Sequence, residues 1–211
     1  SNGDSTQTAS QEFTAVVDQH YGVTLSVDSD SKQSKPGEDV DFIFNITNTG
    51  NGQDNYILSV SGPAVWNPVL SQNVSSINAV SVSQFTLTVS IPSDRDAGAS
   101  SGDIVVTVVS SDGVSTANST VSVMSSQVYD IGLDHVSGSD GAVSVTQETQ
   151  ILLKLNVTNN GNGIDTLNLT MTNAPRWASL GADTMQIGRG QTQALTITLS
   201  PDAAALSGRD Y

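Results

Sequence analysis

NITNTGNGQDNY (residues 45–56) is written a second time, lightly edited, as NVTNNGNGIDTL (residues 156–167). A stretch that recurs so far along a chain is either a site used twice or a structural unit used twice. Its surroundings favour the unit. In DFIFNIT (41–47) Phe42, Phe44 and Ile46 share one parity, while Ile43, Asn45 and Thr47 take the other. In the second copy Leu153, Leu155 and Val157 hold the inner parity, and Lys154 and Asn156 point outward. Identities change between the copies but parity does not, which is how a strand with one buried face behaves.

The match continues past the motif. Tyr56, Leu58 and Val60 align with Leu167, Leu169 and Met171, and Trp66 aligns with Trp177, each shortly after a proline. FTLTVSIPSD aligns with ALTITLSPD. Further alternating segments are VTLSV (23–27), NYILSV (55–60), DIVVTVV (103–109) and STVSVM (119–124). They are rich in Val, Ile, Thr and Phe and punctuated by Gly, Pro, Asn, Asp and Ser, as strands are. No long segment carries a 3.6-residue apolar period. The expected fold class is all-β, as tandem immunoglobulin-like β-sandwiches with a domain-sized repeat.

The phase of the repeat predicts the domain plan. TASQEFTAVVDQHYGVTL from Thr8 lies over TANSTVSVMSSQVYDIGL from Thr116, so Phe13 falls on Val121 and Ala15 on Val123. Residues 1–19 are therefore read as the last strand of a preceding repeat, or as a donor strand. Residues 20–127 are read as a complete sandwich. Residues 128–211 are read as a second one lacking its final two strands, because LSGRDY stops where the first copy runs on into its closing hairpin. The junction SVMSSQVYDIGL holds no Gly/Ser-rich linker, which predicts a stiff joint.

Composition removes several functions. The net charge of −14, from 21 acidic against 7 basic residues, argues against nucleic acid and anionic membrane surfaces. There is no cysteine, hence no disulfide, zinc ribbon or thiol chemistry. No apolar run is long enough to span a bilayer, and the polar start SNGDSTQTAS does not read as a signal peptide. An export address, if used, would lie upstream or have been removed.

The repeated motif itself reads as turn chemistry. Gly50, Gly52, Gly161 and Gly163 are expected to supply backbone angles closed to bulkier residues. Asn48, Asn51 and Asp54, like Asn159, Asn162 and Asp165, have short side chains able to bond nearby backbone amides. The rival is a calcium loop, but each loop offers one carboxylate and lacks EF-hand spacing. No metal ligand set is assigned.

With these residues in place, the stretch VDFIFNITNTGNGQDNYILSVSGPAVW, followed by FTLTVSIPSDRDAGASSGDIVVTVVS, resembles the NEW3/CARDB group of immunoglobulin-like modules. The resemblance covers residues 21–127 fully and 128–211 in part. It implies seven-stranded sandwiches in series on archaeal or bacterial surface proteins and extracellular hydrolases, as spacers or adhesive units. No catalytic residue is implied.

A search for chemistry leaves little. His20 and His135 occupy non-equivalent positions with no partner at ligand spacing. Paired carboxylates could do glycosidase work, and the alternate spacing of Asp28 with Asp30, and of Asp39 with Asp41, puts each pair on one strand face, but polar, solvated strand ends explain them better. GSDGAV around Asp140 reads as a turn. Trp66 and Trp177 fit core packing better than a sugar platform. Five Asn-x-Ser/Thr sequons begin at Asn45, Asn73, Asn118, Asn156 and Asn168, no more than the composition produces by chance; parity turns Asn45, Asn156 and Asn168 outward, where a glycan would attach.

The resulting expectation is a non-enzymatic, extracellular piece of a microbial, by resemblance archaeal, surface protein forming a stalk, layer or filament. Its partners would be adjoining immunoglobulin-like domains or other copies of itself through strand edges, with glycans as a further class. The alternatives are a filament subunit assembled by strand donation and a carbohydrate-binding accessory of a secreted hydrolase.

Overall fold

The computed structural model describes residues 9–135 and 143–205. The beginning of the segment read as a last or donor strand, the turn at Asp140 and the tail LSGRDY lie outside the described residues. Among the described residues, apart from one 3-10 turn at Ala64–Trp66, the regular elements are strands.

The first nine strands are β1 (Val23–Val27), β2 (Ser31–Ser34), β3 (Asp39–Asn48), β4 (Asp54–Ser61), β5 (Val69–Leu70), β6 (Val74–Ile77), β7 (Val82–Ser90), β8 (Ile104–Ser110) and β9 (Thr116–Ser125). One sheet runs β1-β3-β7-β5 and the facing sheet β2-β9-β8-β4-β6. Within the sheets only β2 and β9 pair in parallel. Two facing sheets with this strand order, antiparallel but for that one pair, make an immunoglobulin-like β-sandwich.

Strict alternation builds its core. β3 buries Val40, Phe42, Phe44, Ile46 and Asn48 in turn. Across the ladder Phe44 stands opposite Phe85, and their rings stack with centroids 5.1 Å apart. The facing sheet contributes Tyr56 and Leu58 from β4, Ile104, Val106 and Val108 from β8, and Val121 and Val123 from β9. Each such side chain contributes roughly 1.5–3 kcal/mol by leaving water. Trp66 closes one end of this core and is buried.

The remaining strands are β10 (Ile131–His135), β11 (Ile151–Asn159), β12 (Asp165–Asn168), β13 (Ala178–Leu180), β14 (Thr184–Ile187) and β15 (Thr192–Leu199). They form one sheet, β10-β11-β15-β13, and a second of two strands, β12-β14. The first repeats the order β1-β3-β7-β5, and the second repeats the β4–β6 pair. The core here is smaller: Val157, Ile187 and Leu195 are buried, and Leu155, Leu167, Leu169, Leu180 and Met185 are half-buried against them. Leu25 packs on the first core, whereas its counterpart Leu133 is 63 % exposed.

Residues 9–22 belong to no strand. Phe13, Val16 and Val17 are each more than four-fifths exposed. Their aligned counterparts in β9 are ordered because β2 and β8 flank that strand; residues 9–17 have no such neighbours among the described residues.

Candidate functional site: the asparagine–glycine corners and the joint

Each corner is pinned from within by a buried asparagine at the end of a strand. Asn48 donates through Nδ2 to the carbonyls of Gly52 (2.8 Å) and Ile77 (3.0 Å), and its Oδ1 accepts from the Gly50 amide (2.8 Å). Asn159 repeats the set with Gly163 (2.8 Å), Ile187 (2.9 Å) and the Gly161 amide (2.8 Å). Both asparagines are fully buried, so their polar groups must be satisfied in place, and all the bonds they make are to backbone.

A second asparagine in each corner does something different. Asn51 Oδ1 accepts from the His20 amide (2.7 Å) and its Nδ2 donates to the Asp18 carbonyl (3.0 Å). Asn162 Oδ1 accepts from the Val128 amide (2.7 Å) and its Nδ2 donates to the Ser126 carbonyl (2.9 Å). The backbone amides of Asn51 and Asn162 donate in turn to the His20 and Val128 carbonyls. Each corner thus grips the chain entering its own unit by the same three bonds. Gln19 reinforces the first grip by donating to the Gln53 carbonyl (3.0 Å), and Gln127 the second by donating to the Ile164 carbonyl (3.2 Å) and to Asp165 Oδ1 (2.7 Å).

This grip corrects the reading of the glycines. None of Gly50, Gly52, Gly161 and Gly163 has a positive φ. They are small because chain passes close by: a Cβ at Gly50 would collide with the His20 carbonyl, and one at Gly161 with that of Val128. At Gly52 it would press on the Gln19 side chain, and at Gly163 it would stand 2.9 Å from Ala97 Cβ.

Ala97 belongs to the preceding sandwich, so the second corner is also a joint. The Ala97 amide donates to the Asn162 carbonyl (2.9 Å), and Asn162 Nδ2 also reaches the Arg95 carbonyl (3.3 Å). Arg189, in the β14–β15 turn, donates to the Asp94 carbonyl (2.9 Å) and to the Asp96 carboxylate. These contacts leave Asn162 only 8 % exposed, whereas Asn51, with the same linker bonds, remains exposed. The role of Asn51 and Asn162 as linker clamps was missed by sequence reasoning. A usable signal was present: Gln19 and Gln127 are identical at aligned positions beside both linkers.

The corner carboxylates are buried. Asp54 Oδ2 accepts from the Ser110 hydroxyl (2.6 Å), and its Oδ1 accepts from the Ser111 hydroxyl and amide and from the Asn55 amide. Burial pushes its carboxyl up, but these donors outweigh burial and hold it below the usual carboxylate value. Tyr56 beside it is raised, by burial first and then by the Asp54 charge. In the second unit Asp165 Oδ2 is buried with no hydrogen-bond partner. Among the described residues no three His, Asp or Glu side chains converge as a metal site.

The other candidates are dispersed. Asp28 pairs with Lys32 (2.6 Å) and accepts from the Ile43 amide, while Asp41 accepts from the Thr88 hydroxyl (2.7 Å). These carboxylates serve local structure on β1–β3–β7. His20 meets the first corner through its backbone. Trp177 is half-buried in a shallow cleft with Pro175, Arg176, Asp202, Ala204 and Ala205, unlike the enclosed Trp66. Among the sequons Asn73, Asn118 and Asn168 are exposed, and Asn45 and Asn156 are half-buried on their strands. Among the described residues no helix is long and apolar enough to cross a membrane.

No family model matches the chain, and no curated protein matches it. Solved structures do superpose on it. A protein of unknown function from Porphyromonas gingivalis W83 does so at 16 % identity, with a TM-score of 0.37, over 83 % of each chain. The YadV chaperone does so at 13 % identity and a TM-score of 0.36, over 88 % of this chain and 87 % of its own. A C. elegans MSP family member, WR4, matches at 11 % identity and a TM-score of 0.34, over 48 % of this chain and 97 % of its own. The fold class rests on the strand order above, and these superpositions add nothing to it.

Proposed function

We propose that this chain is a non-catalytic structural segment of an extracellular microbial surface protein, in which immunoglobulin-like units are locked in series by clamped joints. The observation that carries the reading is the repeated linker clamp. Asn51 and Asn162 grip the entering chain with the same bonds, and the second clamp is covered by the loop Asp94–Ala97 of the preceding unit. A joint held by buried neutral hydrogen bonds resists bending, which a spacer needs and a catalyst does not. The resemblance to NEW3/CARDB modules, with its archaeal or bacterial surface setting, points the same way. The test is orientational. Residual dipolar couplings of the native chain fit one alignment tensor for both units. In the double variant Asn162→Ala, Arg189→Ala they require two. A native chain that already needs two tensors would overturn the spacer reading.

A second reading is favoured by the exposed alternation Phe13, Ala15, Val17: a filament subunit donating this segment to another copy. Deleting residues 1–19 abolishes polymers under donation and leaves the joint unaffected under the spacer reading; size-exclusion chromatography with light scattering separates the two.

A further inference from the structure

Asparagine precedes glycine three times among the described residues, at Asn51–Gly52, Asn160–Gly161 and Asn162–Gly163. This dipeptide is especially prone to deamidation, because glycine has no side chain to shield its nitrogen or to restrict its approach to the neighbouring amide. The clamp at the joint needs both members nonetheless. A neutral amide accepts from the Val128 amide and donates to the Ser126 carbonyl at once, and a Cβ at Gly163 would stand 2.9 Å from Ala97 Cβ.

The three pairs are protected unequally. At Asn160 the attacking nitrogen, that of Gly161, is occupied by its bond to Asn159 Oδ1 (2.8 Å). Asn51 and Asn162 each have the side-chain amide held on the linker by the same two bonds. Asn51 is exposed, so water competes for its bonds. Over Asn162 the preceding unit adds a second layer: the Ala97 amide holds its carbonyl (2.9 Å), the Arg95 carbonyl takes a further bond from Nδ2 (3.3 Å), and the residue is 8 % exposed.

We infer that Asn162–Gly163 is a modification site gated by the joint: it stays intact while the joint is closed, and once the joint opens it deamidates and prevents reclosure. The inference rests on the serial-unit reading, since the gate is the docked loop Asp94–Ala97. On opening, the Gly163 nitrogen attacks Asn162 Cγ. Its proton passes through solvent to the departing Nδ2, the Cγ–Nδ2 bond breaks, and ammonia leaves a succinimide ring. Water adds to either ring carbonyl and reopens the ring as aspartate or isoaspartate. The product has a carboxylate oxygen where Nδ2 donated to the Ser126 and Arg95 carbonyls, so both lose their donor. It also adds negative charge to a joint that already holds Asp96 and Asp165.

The test ages the full chain at mildly alkaline pH and follows each asparagine by peptide mass spectrometry. Asn162 is expected to convert about tenfold more slowly than Asn51, the equivalent of the two hydrogen bonds that the docked loop adds. Ala97→Arg, which leaves the loop no room against Gly163, is expected to raise the Asn162 rate to that of Asn51 and to leave Asn51 unchanged. Asn162→Asp, the product written into the chain, is expected to require two alignment tensors where the native chain requires one. Equal rates at Asn51 and Asn162 in the native chain, no acceleration in Ala97→Arg, or a single tensor for Asn162→Asp would each overturn the inference. The alignment of the unaged native chain tests the spacer reading by itself, so the two fail separately.

Discussion

At the scale of single residues, Asn48 illustrates why a corner can be written twice without serving as a binding site. Its side chain replaces three backbone partners that a turn of this shape leaves unpaired, inside the protein where water cannot replace them. Asn48→Ala removes the partner of two carbonyls and one amide, and is expected to cost about 2–3 kcal/mol in urea unfolding of the first sandwich. Val80 carries the opposite signal. It sits at φ +55°, a left-handed conformation costly for a β-branched side chain, and is 82 % exposed. The aligned position in the second unit is Gly190, at φ +67°. Val80→Gly relieves strain of roughly 1–2 kcal/mol, partly offset by the freer unfolded chain, so a net gain of about 1 kcal/mol is expected from the urea midpoint.

At the scale of elements, alternation made most of the sandwich readable. β3, β4, β7, β8 and β9 each contain a segment in which apolar residues keep one parity, and the buried faces fall on that parity. The strands that escaped were short and polar on their faces. Ser31–Ser34 is SKQS, a strand only because β9 offers it a parallel edge, and Val74–Ile77 is VSSI, held by β4. The β4–β8 contact also sets an acid response. The Asp54 carboxyl lies below its ordinary value of 3.8 in the folded state. Its contribution is therefore fully present above that value and is lost as pH falls through the depressed folded pKa. Protonation also relieves the repulsion of a chain at −14, which acts in the opposite sense. The informative quantity is thus a difference: the stability gap between native protein and Asp54→Asn is expected to be constant well above 3.8 and to narrow as the pH is taken below it, followed by urea unfolding at each pH.

At the scale of the whole molecule, the joint is mainly a neutral device. The Arg189–Asp96 pair is solvent-exposed and screened, and exposed pairs contribute little. The Asn162 bonds are buried and insensitive to ions. Raising salt to about 1 M is accordingly expected to leave the relative orientation of the two units unchanged. Asn162→Ala alone should loosen it, and Asn51→Ala should free residues 9–20 without affecting the joint; interunit residual dipolar couplings report each case. The sequence by itself determined the all-β class, the parity of the core strands and the recurrence of the corner, because side-chain alternation and turn residues are local properties. It misjudged what the corner glycines are for, attributing to backbone angles a smallness that answers to chain passing close by. The clamping of residues 18–20 and 126–128, and the orphaned oxygen of Asp165, were settled only by tertiary structure. Both depend on which distant segment comes to lie against the corner; the recurrent Gln19 and Gln127 mark the clamped linkers in the sequence, but only the fold brings them to the corners.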